Sequence, residues 1–244
     1  TNLVPNPSAE TNITNLSPIT GTGGAVTRST TLAHSGTASA VATRSSSTGS
    51  LGVAVSNAVL SSSGTVSVLN VTAGTSYVAS AYARASASGR TATINIRWYN
   101  ASNVQVGSDV SSTAATLPTT DWARWSISAI APATATKAAI WIIGGSANFA
   151  VGELLYVDDF MFHEGNLPIN YFDGSTIDPG LYAYAWTATA HASSSTKTNL
   201  PNTDATIWQP GQSLMSWLAP ILQASNRRLF CDENRKWRLV DAGY

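Results

Sequence analysis

The stretch that decides the fold is TSYVASAYARASASGRTATINIRWY, residues 75–99. In each half, apolar residues recur at every second position, which places them on one face of an extended strand. Small, turn-forming residues separate the halves at positions 87–90. The alternating residues are Tyr77, Ala79, Ala81 and Ala83 in the first half, and Ile94, Ile96 and Trp98 in the second. The stretch therefore predicts two strands, each buried on one face.

The same period of two recurs on both sides of this stretch. It is found at residues 65–71 and 122–130, and residues 138–143 and 154–162 are further predicted strands. No segment before residue 165 has the 3.6-residue period of an amphipathic helix. Many short strands with regular turns predict an all-β fold for residues 1–165, a jelly-roll β-sandwich whose two ends lie close together.

Residues 166–206 form a second predicted region. Tyr182, Tyr184 and Trp186 alternate with small residues, which predicts a hairpin-like aromatic ribbon. Residues 192–198 are rich in Ser and Thr, a composition typical of a polar linker.

Residues 207–244 change pattern again. Residues 213–218 have a helical pattern, which predicts a helix with Ser213 as its N-cap. Residues 228–232 and 236–240 are apolar-rich and flank a polar turn, which predicts a β-hairpin. Fewer than 40 residues rarely form a stable core alone, so we expect this helix-plus-hairpin segment to anchor the chain to other subunits or to a continuation of the chain.

The composition narrows the functional classes. Hydrophobic residues make up 43% of the chain, charged residues only 11%, and the net charge is +0. This balance gives no indication of nucleic-acid binding, and no run of 18 apolar residues suggests membrane insertion. Cys231 is the one cysteine, so an internal disulfide is excluded. The chain lacks an initiator Met, and we expect it to be a fragment of a longer or processed protein.

Four short motifs, in order along residues 2–163, resemble carbohydrate-binding modules of the 4/9/22-like families. They are the opening NLVPNPSAE at residues 2–10, HSGTAS at residues 34–39, Trp122 with Arg124, and YVDDF at residues 156–160. The resemblance implies a galactose-binding-like jelly roll.

This resemblance also implies a structural Ca²⁺ that ties the N-terminal segment to the last strand. The matching carboxylates are Glu10 and Asp159, and the matching carbonyls lie near Ser35 and Gly36. Oxygen donors of this kind suit Ca²⁺. Alternation sends only one of Asp158 and Asp159 inward, and the sequence leaves open which one. The alternative is that these acids lie in turns and at strand edges without an ion.

A second resemblance covers residues 171–196, in the motifs YFDGST, YAWT and HASSST. These are similar to a signature of minor tail proteins from phages of actinobacteria. The resemblance implies a location in the virion at the phage tail tip, outside the bacterial cell. It also implies other tail subunits as partners, with a homotrimer as one arrangement in the virion.

Outward positions on two predicted strands suggest a sugar-binding surface. If the alternating apolar residues face the core, then Tyr82, Arg84, Arg97 and Tyr99 face out, and Trp141 could join them. Aromatic planes stack on the C–H faces of sugars, and guanidinium groups donate to hydroxyls. The alternative is that the two Tyr side chains pack under a loop.

Catalytic motifs are weak in this sequence. His34, His163 and His191 lie in different segments without metal-ligand spacing, and no G-x-S-x-G motif occurs. We therefore predict a non-catalytic module for bacterial cell-surface polysaccharide. Two alternatives remain: a purely structural tail or baseplate domain, and the binding module of a secreted glycan-degrading enzyme.

Overall fold

The computed structural model describes residues 1–19, 24–56, 69–145, 149–177, 182–199, 218, 222, 227–231 and 237–241. Sixteen strands lie within these residues. In chain order they are β1 (Leu16–Pro18), β2 (Val26–Ser29), β3 (Ser39–Thr43), β4 (Leu51–Val55), β5 (Leu69–Asn70), β6 (Ser76–Ala85), β7 (Thr91–Tyr99), β8 (Gln105–Ser111), β9 (Ala115–Thr116), β10 (Ala123–Ile130), β11 (Lys137–Gly144), β12 (Leu154–Glu164), β13 (Tyr182–Trp186), β14 (Ser195–Asn199), β15 (Arg227–Cys231) and β16 (Trp237–Asp241).

Two antiparallel sheets form the sandwich. The seven-stranded sheet has the order β1-β4-β11-β7-β8, with β5 also pairing β11 and β9 also pairing β7. The five-stranded sheet has the order β10-β6-β12-β3-β2. The predicted all-β jelly-roll sandwich is confirmed. Most of the predicted strand at residues 65–71 lies outside the described residues, which include only β5 there.

The core lies between the two sheets and contains the alternating residues of the deciding stretch. Ala79, Ala81 and Ala83 of β6 and Ile94 and Ile96 of β7 are all completely buried. Three aromatic rings meet there, with centroids 5.1–6.4 Å apart: Tyr77, Trp98 and Phe162. Burial of so much apolar surface is the main stabilising contribution to the fold.

The connection between β6 and β7 crosses from one sheet to the other. β6 pairs with β10 and β12, whereas β7 pairs with β11, β8 and β9. Residues 86–90 therefore join two layers instead of closing a hairpin. This crossing places the outward side chains of the two strands on opposite sides of the molecule.

The N-terminal segment is bound to the end of β12. Asn2 accepts a hydrogen bond from the backbone of Phe162 at 3.1 Å and donates to the carbonyl of Phe160 at 3.2 Å. Its amide also donates to the carbonyl of Phe172 at 3.2 Å, and its backbone pairs with Ser195. One completely buried Asn thus joins the two ends of the sandwich and the segment that follows it.

The aromatic ribbon consists of β13 paired with β14. Residues 195–198, part of the stretch expected to be a linker, form most of β14. One compact unit runs from Thr1 to Thr198, so the boundary predicted near residue 165 does not divide two units. The physical reason is the set of hydrogen bonds from Asn2 to both β12 and the ribbon.

The second unit covers Asn199–Tyr244. Within it, β15 and β16 form the predicted hairpin, with Arg227 opposite Asp241 and Cys231 opposite Trp237. Leu218 and Leu222 are helical, and the rest of the predicted helix lies outside the described residues. Within the described part of the chain, no helix has the length and apolar character needed to cross a membrane.

Candidate functional site

A β-bulge in β12 places two acidic side chains side by side. The pairing between β12 and β6 shifts register between Asp158 and Met161, and Asp159 has a φ of 52°. Because a bulge breaks the alternation of a strand, both carboxylates become buried, each with 1% exposure. The prediction that only one of the two acids points inward is wrong.

Both carboxylates bind the turn that contains His34 and Ser35. Asp158 Oδ2 accepts hydrogen bonds from the backbone N–H groups of His34 at 2.7 Å and Ser35 at 3.3 Å. Asp159 Oδ2 lies 2.5 Å from His34 Nδ1, and Asp159 Oδ1 accepts a hydrogen bond from Ser35 Oγ at 2.5 Å. The bulge therefore fixes both the backbone of this turn and the imidazole ring.

Burial shifts the titration of both acids. It raises the pKa of Asp158 to about 9, and repulsion from Asp159 adds to the effect. Burial also raises the pKa of Asp159, while hydrogen bonds from His34 and Ser35 act in the opposite direction. A buried carboxylate loses its hydration, which favours the protonated form. A nearby positive charge would stabilise this pair.

Glu10 holds the same turn from another position in the chain. Its carboxylate accepts hydrogen bonds of 2.8–3.1 Å from the backbone and hydroxyl of Thr37 and the backbone of Ala38. Gly36 has a φ of +62°, and a Cβ there would lie 2.3 Å from Glu10 Oε1, so the position requires glycine. The structure thus brings together the residues predicted to surround a metal: Glu10, Ser35, Gly36 and Asp159.

Glu10, Ser35 and Gly36 border a cavity of about 470 Å³. Its walls come from turns of the sandwich and from the segment that leads into the ribbon, and they comprise Ser8, Glu10, Ser35, Gly36, Tyr171, Asp173, Ser175, Thr176 and His191. Burial raises the pKa of Tyr171, and the charges of Asp159 and Asp173 raise it further. Among the described residues, no group of three or more His, Cys, Asp or Glu side chains is arranged to hold a metal ion.

Aromatic and basic side chains, of which His34 is exposed and the others are half-buried, form a surface on the outer side of the five-stranded sheet that we call the aromatic platform. It consists of His34, Tyr82, Arg84, Trp122 and Arg124. His34 stacks on Tyr82 with centroids 3.6 Å apart, and its ring meets the edge of Trp122 at 6.0 Å. Arg84 lies over the Trp122 ring and Arg124 over the Tyr82 ring, at 6.0 and 5.7 Å.

Hydrogen bonds to neutral oxygen atoms hold both arginines of the platform. Arg84 donates to the carbonyls of Thr119 and Thr120. Arg124 donates to the hydroxyl of Ser80 at 2.9 Å and to the carbonyl of Ile169. Each guanidinium is therefore fixed in place without a carboxylate partner among the described residues.

The centre of this sheet face is closed. Val78, Ser80, Met161 and His163 lie on its outer side but are at most 4% exposed. The bond from Arg124 to Ile169 ties the segment after β12 to this face. Ser126, Ser128 and Ile130 of β10 are exposed on the same face, so the face is open at the aromatic platform and along β10.

The structure separates the five residues predicted to bind sugar. Tyr82 and Arg84 belong to β6 of the five-stranded sheet, whereas Arg97 and Tyr99 belong to β7 and Trp141 to β11 of the seven-stranded sheet. The prediction of one shared surface is wrong, because the connection after β6 crosses between the layers.

The three residues of the seven-stranded sheet have a closed environment. Tyr99 and Trp141 are 1% and 4% exposed and pack in a small outer cluster with Ile19, Ala54 and Ala139. Arg97 lies over the Trp141 ring at 5.2 Å. Arg97 also forms two hydrogen bonds of 2.6 Å to Asp109. These contacts are those of a packed structural cluster.

The sequence pattern did not predict that Trp122, Arg124 and His34 belong to the aromatic platform. Trp122 precedes β10 and lies half-buried at the surface, outside the alternating pattern of that strand. The outward position of Arg124 follows from the alternation of β10, in which Trp125 is the buried neighbour. The position of His34 depends on the bulge, and no local pattern in the sequence marks it.

No protein-family model and no curated protein sequence matches this chain. Solved structures align with about two thirds of it. The tailspike protein 4 enzymatically active domain of bacteriophage CBA120 aligns with a TM-score of 0.49 and 16% identity, covering 67% of this chain and 21% of that chain. The CBM22-1 xylan-binding domain of Xyn10C from Paenibacillus barcinonensis aligns with a TM-score of 0.46 and 13% identity, covering 66% and 94%. TmCBM61 in complex with β-1,4-galactotriose aligns with a TM-score of 0.47 and 16% identity, covering 68% and 99%.

Proposed function

We propose that residues 1–198 bind a glycan without catalysis, through the aromatic platform. The observation that carries this proposal is the half-exposed Trp122 beside the His34–Tyr82 stack, with a fixed arginine on either side. A sugar ring needs an aromatic plane for its C–H face and donors for its hydroxyls. Because His34 already covers one face of Tyr82, we assign the stacking role to Trp122.

The state of the nearby acids supports a binding role over glycoside hydrolysis. A glycosidase places two carboxyl groups on either side of the scissile bond. Asp158 and Asp159 are 1% exposed and are engaged by the turn at His34 and Ser35. Neither acid is placed to reach a sugar on the platform.

A glycan array tests the proposal. The wild-type protein should bind at least one bacterial polysaccharide, and Trp122→Ala should reduce that binding at least tenfold while the circular dichroism spectrum stays unchanged. Arg97→Gln, on the opposite sheet, is the control and should bind as wild type does. Equal binding by Trp122→Ala would remove the platform as the site, and no binding by wild type even when multimerised would favour a purely structural domain.

We further propose that the chain acts at the tip of a phage tail, outside the bacterial cell. The support is the resemblance of residues 171–196 to minor tail proteins of actinobacterial phages. Other tail subunits would then be partners, and a homotrimer would present three platforms to one cell surface. Multivalent presentation raises the avidity of a weak site. Antibodies against this protein should label the tail tip of virions that carry its gene, and labelling elsewhere would contradict the assignment.

A structural Ca²⁺ beside the cavity is also part of this proposal. The carboxylates of Glu10 and Asp159, the hydroxyl of Ser35 and the backbone near Gly36 offer oxygen donors, the type that Ca²⁺ prefers. When bound, the ion would add positive charge beside the buried acids of β12. Because it would bind only the folded state, chelation with EDTA should lower the melting temperature. An unchanged melting temperature with no copurifying metal would refute the ion.

A further inference from the structure

The two arginines of the aromatic platform differ from the paired arginines elsewhere in the described residues. Arg90 and Arg97 form ion pairs with Glu153 and Asp109. Arg84 and Arg124 instead donate to carbonyl and hydroxyl oxygens, which carry no net charge. Their positive charges therefore have no direct contact with an acid among the residues that the structure describes.

Contacts within the protein hold both guanidinium groups in place before any ligand binds. Each one donates to two protein oxygens and lies against an aromatic ring, Trp122 for Arg84 and Tyr82 for Arg124. A guanidinium has five N–H donors, so donors remain after these contacts. An arginine whose guanidinium is already held in place loses less side-chain entropy on binding than a mobile lysine would.

The acids near the platform do not occupy these arginines. Asp158 and Asp159 lie beneath His34, are 1% exposed and accept hydrogen bonds from the turn that carries His34. Asp121 lies next to Trp122 in the chain but forms no ion pair with either arginine. The accessible charged groups of the platform are therefore basic.

We infer that the glycan bound by the platform is anionic, and that Arg84 and Arg124 bind its acidic group while a sugar ring stacks on Trp122. This inference rests on the proposed glycan-binding function and narrows its ligand class. The shared chemistry is a carboxylate or phosphate group on a polysaccharide, as in a uronic-acid polymer or a polyol-phosphate polymer. Either group can accept two parallel hydrogen bonds from a guanidinium. Because the whole chain has a net charge of +0, the attraction would be local to the platform.

Affinity electrophoresis of the full chain tests the inference with three polymers of similar length: polygalacturonate, poly(glycerol phosphate) and neutral dextran. We expect the protein to bind at least one of the two acidic polymers and to bind dextran at least tenfold more weakly. Raising NaCl from 50 to 300 mM should weaken the acidic interaction, because salt screens the attraction between exposed charges. The acidic polymer that binds identifies the group as carboxylate or phosphate.

Substitutions then locate the charge that matters. Arg84→Gln and Arg124→Gln should each weaken binding of the acidic polymer about tenfold, since each removes a charge-assisted hydrogen bond. Arg90→Gln is the matched control, because it also removes one arginine charge but lies outside the platform, and it should bind as wild type does. If a Gln variant fails to fold, the corresponding Lys variant keeps the charge and should retain salt-sensitive binding that is weaker than wild type.

Each remaining outcome has a distinct meaning. Binding of dextran as tight as that of the acidic polymers, lost in Trp122→Ala, would overturn the anionic inference and leave the proposed function standing. Acidic binding unaffected by both Gln variants would also overturn it. Binding to none of the three polymers would overturn the inference, and the glycan array would then decide whether the proposed function fails as well.

Discussion

The outer faces of the two sheets use the same kinds of side chain in opposite ways. Each face has an arginine over an aromatic ring: Arg97 over Trp141 on the seven-stranded sheet, and Arg84 over Trp122 on the five-stranded sheet. Arg97 is paired with Asp109, and Trp141 is 4% exposed. Arg84 binds neutral carbonyls and Trp122 is half-buried. Residue type therefore does not decide whether such a pair is closed into the fold or open at the surface; the charge partner and the exposure do.

The largest expected effect comes from the closed face. Trp141→Ala should lower the free energy of unfolding by about 3–5 kcal/mol, because it leaves a cavity where a large buried ring stood. Chemical denaturation monitored by circular dichroism measures the change. Trp141→Phe, which keeps most of the apolar volume, is the control and should cost clearly less. A loss below about 1 kcal/mol for Trp141→Ala would mean that this face is as open as the other one.

Trp122→Ala is the matching substitution on the five-stranded sheet. We expect it to reduce glycan binding strongly and stability only a little. Trp122→Ala should cost about 1 kcal/mol or less in unfolding free energy, because a half-exposed ring loses less buried area. Its glycan binding, by contrast, should fall at least tenfold. A large loss of stability together with unchanged binding would place Trp122 with Trp141 as a packing residue.

The ion pair of the closed face should contribute a smaller amount. A double-mutant cycle with Arg97→Gln and Asp109→Asn should give a coupling energy of about 1 kcal/mol, because the pair is bidentate but Asp109 is partly exposed. Thermal or urea unfolding of the four proteins supplies the cycle. A coupling near zero would show that Arg97 contributes through its contact with the Trp141 ring alone.

The alternation in the sequence is enough to predict the fold. It is not enough to predict which outward side chains lie on which of the two sheets. It identified the buried side of β6 and β7 correctly, since Ala81 and Ile94 both lie in the core. It could not show that the turn after β6 crosses between sheets, because a hairpin and a crossing turn have the same local pattern. The pattern alone therefore predicts that Tyr82 and Arg97 share one surface, although they lie on two sheets.

The region around the buried acids Asp158 and Asp159 shows a different limit of prediction from sequence. Only the resemblance to carbohydrate-binding modules predicts that Glu10, Ser35, Gly36 and Asp159 lie close together; the direct contacts of Asp159 with Ser35 and of Glu10 with Gly36 are found in the structure. Alternation alone failed here, because the bulge at Asp158 changes the period of the strand. A bulge depends on pairing across the sheet, which a single strand sequence does not contain.

The smallest expected effect concerns an ion pair at the connection between the two sheets. Arg90 Nε donates to Glu153 Oε2 at 2.6 Å, and this contact lowers the pKa of Glu153. A carboxyl whose pKa is lower in the folded state stabilises the protein above its unfolded pKa, and this contribution is lost as the pH falls through the folded pKa. The melting temperature of wild type should therefore decrease slightly more than that of Glu153→Gln between pH 6 and pH 3. Parallel slopes of melting temperature against pH would show that the Arg90–Glu153 pair makes no measurable contribution to stability, which is common for exposed ion pairs. The partly buried Arg97–Asp109 pair would then be the stronger of these two arginine contacts.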